Sequence, residues 1–91
     1  MIRAKQWTVT IDIGEHDDER RTHALARLHT PDRTELRGEG VARRNPADRE
    51  VPEIGDELAA ARALSDLAHR LLEAAAGDIE QLTHGRVRLE S

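Results

Sequence analysis

The chain has 91 residues, of which 37% are hydrophobic and 35% are charged, and its formal net charge is −4. This length indicates one domain, residues 1–91, with a small core. Because cysteine is absent, disulfides, zinc–thiolate sites and thiol nucleophiles are excluded. No apolar run approaches the roughly 20 residues of a membrane span, and the N-terminus lacks the apolar core of a secretory signal. We therefore expect a cytoplasmic protein.

The charges are distributed unevenly along the chain. Residues 1–44 carry nine basic and eight acidic side chains, a balance of +1, whereas residues 45–91 carry five basic and ten acidic ones, a balance of −5. The second half is also the half in which we predict a helix. Its acidic surface disfavours a polyanion as the partner of that helix.

Three segments, at about residues 6–13, 22–29 and 34–43, alternate apolar and polar side chains in the pattern of half-buried strands. The segments between them are short, and Pro31 stands at the usual second position of a turn. Short connections favour antiparallel pairing of consecutive strands, so we predict a three-stranded meander. The predicted inward-facing residues are Trp7, Val9, Ile11, Ile13, Ala24, Ala26, Leu28, Leu36, Gly38, Gly40 and Ala42.

The third strand has an inner face of unusually small residues. Gly38 and Gly40 leave little side chain to pack, which is typical of a place where another backbone approaches closely. We expect that backbone to be a helix. A β-bulge or a partner's backbone at either glycine is the alternative.

A long amphipathic helix is predicted at about residues 56–84, after a loop at residues 45–55. Asp56 is suited to the N-cap and Gly85 to the position after the last helical turn. Gly77 either bends the helix or weakens it by about 1 kcal/mol relative to alanine. The apolar stripe of this helix comprises Ile54, Leu58, Ala61, Leu64, Ala68, Leu71, Ala75, Ile79 and Leu82.

This helix is longer than the sheet that it is expected to cover. Nearly 30 helical residues span roughly 40 Å, whereas a strand of eight residues spans about 27 Å. The end of the helix and the tail at residues 86–91 must therefore project or find another surface. That surface is either the sheet edge of the same chain or a second copy, and the second alternative predicts a homodimer. The predicted core comprises Trp7, Val9, Ile11, Ile13, Leu28, Leu36, Leu58, Leu64 and Leu71.

Metal binding and catalysis find little support in the sequence. Asp66, His69 and Glu73 share a helical face, but a di-metal carboxylate site needs a second such motif on a facing helix. We interpret this face as solvated ion pairs, with Asp66 pairing to Arg62 and Arg70. The chain has no G-x-S-x-G motif, no phosphate-binding glycine loop and no evident cleft. We therefore predict no metal, no cofactor, no catalytic residues and no enzymatic activity.

The outer face of the predicted sheet carries the best candidate contacts for a phosphate or another partner, at Arg27, Arg37 and Arg43. Glu35 and Glu39 interleave with these arginines, and no aromatic side chain is available to stack a base. A non-catalytic binding or regulatory module, self-associating through the long helix or a sheet edge, is thus our leading hypothesis. A nucleic-acid-binding protein that uses the arginine-bearing face is the alternative.

Several short motifs, spread over about residues 6–90, resemble one family of small actinobacterial proteins of unknown function. The motifs are Trp7-Thr8-Val9, Ile13-Gly14-Glu15, Ala26-Arg27-Leu28, Gly38-x-Gly40-x-Ala42-Arg43, Asn45-Pro46 and the block that runs from Val51-Pro52 to Leu64. The resemblance implies a fold similar to the double-stranded-RNA-binding domain, with three strands and a C-terminal helix. It implies no activity, cofactor or catalytic residue. Where that domain has lysines at the start of its last helix, this chain has Glu53, Asp56 and Glu57.

Overall fold

The computed structural model describes residues 2–45, 49 and 51–83. In this part of the chain three strands precede one long helix. The elements are β1 (Thr8–His16), β2 (Arg21–Thr30), β3 (Arg33–Arg43) and α1 (Pro52–Thr83), with a short 3₁₀ helix at Asp17–Glu19 between β1 and β2. The predicted α+β class is confirmed: the strands form an antiparallel meander in the order β1-β2-β3.

The sheet register aligns apolar residues on the face that α1 covers. Val9 stands opposite Leu28, and Leu28 stands opposite Leu36. Further along, Gly38 and Gly40 stay in regular register with β2, so the alternative of a bulge at these glycines is wrong. The one register shift lies between Leu28 and Thr30, close to the turn that joins β2 to β3.

The glycines of β3 let the backbone of α1 approach the backbone of the sheet. A Cβ atom added at Gly38 would meet the backbone of Ala63 and Leu67, and one added at Gly40 would meet the backbone of Ala59 and Ala63. Because a side chain at either position would overlap the helix backbone, the expected close approach of a helix is confirmed. Alanines of β2 and α1 complete this small-residue interface. The buried residues are Ala24, Ala26, Leu28, Ala42, Ala59, Ala63 and Leu67.

The buried face of α1 differs from the predicted apolar stripe. Ala59, Ala63 and Leu67 are its buried residues among those described, whereas Leu58 and Leu64, both predicted in the core, are exposed. Residues spaced by four lie on one side of a helix. Here the side that faces the sheet is the one that carries the small side chains of Ala59 and Ala63. Opposite the glycines and alanines of the sheet, Ala59 and Ala63 pack closest, Leu67 is buried one turn further along, and Leu58 and Leu64 lie outside this contact.

The same close packing leaves the N-terminal strand largely uncovered. Trp7, Val9 and Ile13 were predicted in the core, but they are 51%, 41% and 45% exposed. Leu28 is buried as predicted, and Ile11, Leu36 and Leu71 pack against the core while remaining partly exposed. Because α1 lies mainly on β2 and β3, it covers β1 only in part.

The helix begins four residues earlier than predicted. Pro52 is its first residue, and proline suits the first helical position because its missing N–H needs no partner there. Asp56 is therefore inside the helix, so its prediction as the N-cap is wrong. The helix continues through Gly77 to Thr83, and the predicted cap at Gly85 lies outside the described residues. No described helix is apolar enough over a sufficient length to cross a membrane.

Candidate binding surfaces

The free edge of β3 is covered by two side chains of α1. The Asp66 carboxylate accepts a hydrogen bond from the Glu39 backbone N–H at 2.9 Å. One turn earlier on α1, the Arg62 guanidinium donates to the Val41 carbonyl oxygen at 2.7 Å. These two bonds occupy the backbone groups that an incoming strand would need, so the helix protects this edge.

Asp66 is held in its charged form by the groups that surround it. The Glu39 N–H lowers the pKa of Asp66 most, and its ion pair with Arg70, at 3.2 Å, lowers this pKa further. The predicted Asp66–Arg70 pair is thus confirmed. The predicted Arg62–Asp66 pair is wrong, because Arg62 instead binds the β3 carbonyl.

The opposite edge of the sheet is open in the described part of the chain. In the sheet order β1-β2-β3, the outer side of β1 has no strand neighbour among the described residues. The β1 face on the helix side carries a row of large apolar residues that α1 covers only partly. We call this row the β1 apolar row, and it comprises Trp7, Val9, Ile11 and Ile13.

The predicted arginine face is dispersed and partly neutralised. Arg27 and Arg37 stand directly opposite each other in the β2–β3 register. Arg27 pairs with Asp12 at 2.7 Å, and Arg37 pairs with Glu35 at 2.8 Å. Arg43 lies six residues beyond Arg37 along β3, a distance of about 20 Å. The structure therefore brings together two of the three arginines, and phosphate binding by them stays a prediction.

The histidine-containing helical face of α1 forms ion pairs. His69 Nε2 lies 2.9 Å from the Glu73 carboxylate, while Asp66 is directed to β3 and Arg70. No group of three or more ligating side chains among the described residues is arranged to hold a metal ion. The three carboxylate and imidazole groups thus share a face without converging on one point.

A basic pocket lies where the end of the sheet meets the start of α1. It has a volume of about 300 Å³ and is lined by residues from all three strands, the loop before α1 and the first turns of that helix. Its basic lining residues are His16, Arg20, Arg21, Arg43, Arg44 and Arg49. Its apolar lining includes Ala42, Val51, Ile54 and Leu58.

Sequence reasoning missed this pocket, apart from Arg43. Arg20 stands in the charged turn after β1, Arg21 begins β2, and Arg49 stands in the loop before α1, so more than 25 residues separate Arg49 from the other two. A hydrogen bond from the Arg44 backbone N–H to the Arg20 carbonyl, at 2.9 Å, ties the two segments together. The sequence signal was the arginine doublets Arg20-Arg21 and Arg43-Arg44, which antiparallel pairing of β2 and β3 brings to the same end of the sheet.

These features define a small α+β protein in which one helix covers two strands of a three-stranded meander and leaves the third open. A family model matches residues 5–88, and the chain belongs to the Rv2632c-like family. The prediction of an actinobacterial family of small proteins is confirmed by this match and by the mycobacterial relatives.

Three comparisons show how similar this chain is to other proteins in sequence and structure. The uncharacterized protein Mb1767 of Mycobacterium bovis is 56% identical over 85 residues, which cover 93% of this chain and 87% of the relative. The uncharacterized protein Rv2632c of Mycobacterium tuberculosis is 50% identical over 80 residues, with 88% and 83% covered. The crystal structure of Rv2632c matches with a TM-score of 0.81 at 48% identity, covering 92% of this chain and 96% of that one.

Proposed function

We propose that the protein is a non-catalytic binding module that self-associates through β1. The observation that carries this proposal is the β1 apolar row, where Trp7 is 51% exposed beside an unpaired strand edge. Large apolar side chains and free backbone groups on the same strand are what an added strand would bury and pair. The partner that we propose is a second copy of this chain.

The sequence of β1 suits pairing with itself. In an antiparallel pair of two β1 strands centred on Thr10, Trp7 of each copy stands opposite Ile13 of the other, and Val9 stands opposite Ile11. Aromatic and β-branched residues in directly opposed positions stabilise a strand pair by about 0.2–1 kcal/mol each. The same register sets Thr8 opposite Asp12 and so keeps the two Asp12 carboxylates apart.

The other edge of the sheet supports this choice of interface. The hydrogen bonds from Glu39 to Asp66 and from Arg62 to Val41 occupy β3. Pairing through β3 would require both to break, whereas β1 has no strand neighbour on its outer side among the described residues. A continuous sheet of two copies would therefore join them at β1.

Light scattering and the fluorescence of Trp7 test the proposal. Trp7 is the only tryptophan, so its emission should shift to the blue as protein concentration rises and the dimer forms. Ile13→Lys should abolish both the mass increase and the shift, because a charge would enter the apolar row. A strictly monomeric protein at high concentration would refute self-association.

Leu82→Lys is the matched control for this experiment. Leu82 is a highly exposed apolar residue near the end of α1, far along the helix from the sheet centre. The substitution makes the same change in charge and should leave the dimer intact. Loss of the dimer with Leu82→Lys but not with Ile13→Lys would instead place the interface on the overlong helix.

Other expectations from the sequence remain predictions. They are the cytoplasmic location, the absence of enzymatic activity, the likeness to the double-stranded-RNA-binding domain and the nucleic-acid alternative. The carboxylates that pair with Arg27 and Arg37 weigh against the last of these. A gel shift with duplex and single-stranded RNA and DNA at low salt tests it, since phosphate contacts weaken steeply as salt rises.

A further inference from the structure

We propose that the basic pocket at the start of α1 binds a small phosphorylated molecule with an apolar or aromatic body. The pocket is distinct from the proposed dimer interface. Its lining residues in β1 are Glu15 and His16, at the end of the strand, whereas the interface consists of the β1 apolar row. Its charge, its shape and its backbone geometry each support this ligand class.

Basic residues outnumber acidic ones in the described lining of the pocket, although the protein has a net charge of −4. Five arginines line it, and Glu15 is the one carboxylate among its described lining residues. Arg20, Arg43 and Arg49 form no recorded ion pair with another described residue. Arginines that line a concave surface can bind a phosphate group, because a phosphate accepts paired hydrogen bonds from a guanidinium group.

Arg21 adds an unused donor at this site. Its Nη2 atom pairs with Glu19 at 2.9 Å, but its Nε atom is buried and has no hydrogen-bond partner. Buried donors in folded proteins almost always have a partner, so an acceptor from a ligand would complete this arginine. Glu53, in the first turn of α1, offsets the positive end of the helix dipole, so the arginines supply the attraction for an anion.

The size and apolar lining of the pocket limit the ligand to a small molecule. A volume of about 300 Å³ is at the lower end of the range for small-molecule sites. Ala42, Ile54 and Leu58 supply an apolar wall beside the arginines, which a sugar phosphate without an apolar part would leave unused. A phosphate joined to a ring system uses both parts of the lining.

The backbone at Arg20 also indicates that an arginine is required there. Arg20 is the non-glycine residue with positive φ, at 50°, in the described chain. Glycine adopts this left-handed conformation without the steric cost that a side chain brings. The presence of arginine at a position that favours glycine is explained if the Arg20 guanidinium contributes to binding.

Nuclear magnetic resonance titration of the full chain tests the proposal with AMP, adenosine, pyrophosphate and a short RNA duplex as probes. AMP should shift the amide signals of Thr22, Ala42 and Gly55 and should bind roughly tenfold or more tightly than adenosine, because one charge-assisted contact has about that effect. Pyrophosphate should bind more weakly than AMP, because it leaves the apolar wall bare.

Two variants and a control separate the pocket from general charge effects. Arg20→Gly should keep or raise the thermal midpoint while weakening AMP binding roughly tenfold, and Arg49→Gln should weaken it similarly. Arg37→Gln removes the same charge on the outer face of the sheet and should leave AMP binding unchanged.

Four results would overturn the proposal. They are no binding of any probe at millimolar concentration, equal affinity for AMP and adenosine, an equal loss with Arg37→Gln, and tighter binding of the RNA duplex through the same amides. None of these results bears on self-association, because the titration follows Thr22, Ala42 and Gly55 of the pocket lining, which lie outside the β1 apolar row. A dimer that fails to form would likewise leave the titration interpretable.

Discussion

The helix α1 protects one edge of the sheet, at β3, and leaves the other edge, at β1, without a strand neighbour. At β3 the helix lies against bare backbone, Arg62 donates a hydrogen bond to the strand edge, and Asp66 accepts one from it. At β1 it provides only partial cover, and Trp7 remains half exposed. A helix that approaches one strand so closely lies to one side of the sheet, so the protection of β3 and the exposure of β1 have one cause.

That cause is the volume of side chains at the interface. With glycine at positions 38 and 40 and alanine at positions 59 and 63, the two backbones pack with almost no side chain between them. Large residues such as Leu58 and Leu64 then cannot be accommodated under the helix. The smallest residues of the chain thus determine the positions of its largest ones.

Truncation of Leu67 should have the largest effect on the covered side. Leu67 is buried against β3, and Leu67→Ala should lower the free energy of unfolding by about 2–5 kcal/mol, because it removes core contacts and leaves a cavity. Leu64→Ala makes the same chemical change at an exposed position and should cost about 1 kcal/mol or less. Urea denaturation at low protein concentration measures both, and equal losses would contradict the packing described.

Adding one methyl group at Gly38 should also destabilise the fold. The Cβ atom of Gly38→Ala would overlap the backbone of Ala63 and Leu67, and neither can move like a flexible side chain. Overpacking of this kind costs about 1–3 kcal/mol or more. Pushing α1 away from β3 should weaken the Asp66–Glu39 hydrogen bond at the same time, which faster hydrogen exchange of the Glu39 amide would report.

The control for this substitution predicts the opposite sign. Gly77 lies within α1 with no atom within 4 Å of an added Cβ. Because alanine is the better helix former, Gly77→Ala should raise the free energy of unfolding by about 1 kcal/mol. Thermal denaturation of Gly38→Ala and Gly77→Ala under the same conditions distinguishes the close-packed Gly38 from Gly77, which has space for a side chain.

The smallest expected effect concerns pH and the protected edge. The pKa of Asp66 is lowered below its usual value of 3.8 in the folded state, so its charge contributes stability that is complete above that value. This stability is lost as pH falls from about 3.8 through the lower folded pKa. Asp66→Asn should flatten the acid side of the stability curve in that window, whereas Glu57→Gln, on the exposed face of α1, should leave the curve unchanged.

Much of the fold follows from residue periodicity. The alternation of apolar residues predicts three strands within a few residues of their observed bounds, and the glycines of β3 correctly predict the approach of a helix. The predicted buried face of α1 was wrong because the prediction gave large apolar residues more weight than alanines. The spacing Gly55, Ala59, Ala63 carried the needed signal, since residues four apart share a helical side.

The candidate sites were less accessible from the sequence. The β1 apolar row is visible as alternation, but whether a helix covers it depends on packing elsewhere. The basic pocket requires the turn after β1, the end of β3 and the loop before α1 to meet, and no local pattern encodes that meeting. Sequence reasoning placed Glu35 among the predicted arginines but did not indicate the pair of Arg27 with Asp12, which forms across strands.

The small-residue interface has a consequence for synthesis on the ribosome. The meander is translated before α1. Its inner face is therefore uncovered until the residues of the helix have emerged from the ribosome. Over β2 and β3 that waiting surface is largely alanine methyl groups and bare glycine backbone, which offer little apolar area to a neighbouring nascent chain. The adhesive part of the unfinished protein is then Trp7 to Ile13, the same segment that stays accessible after folding is complete.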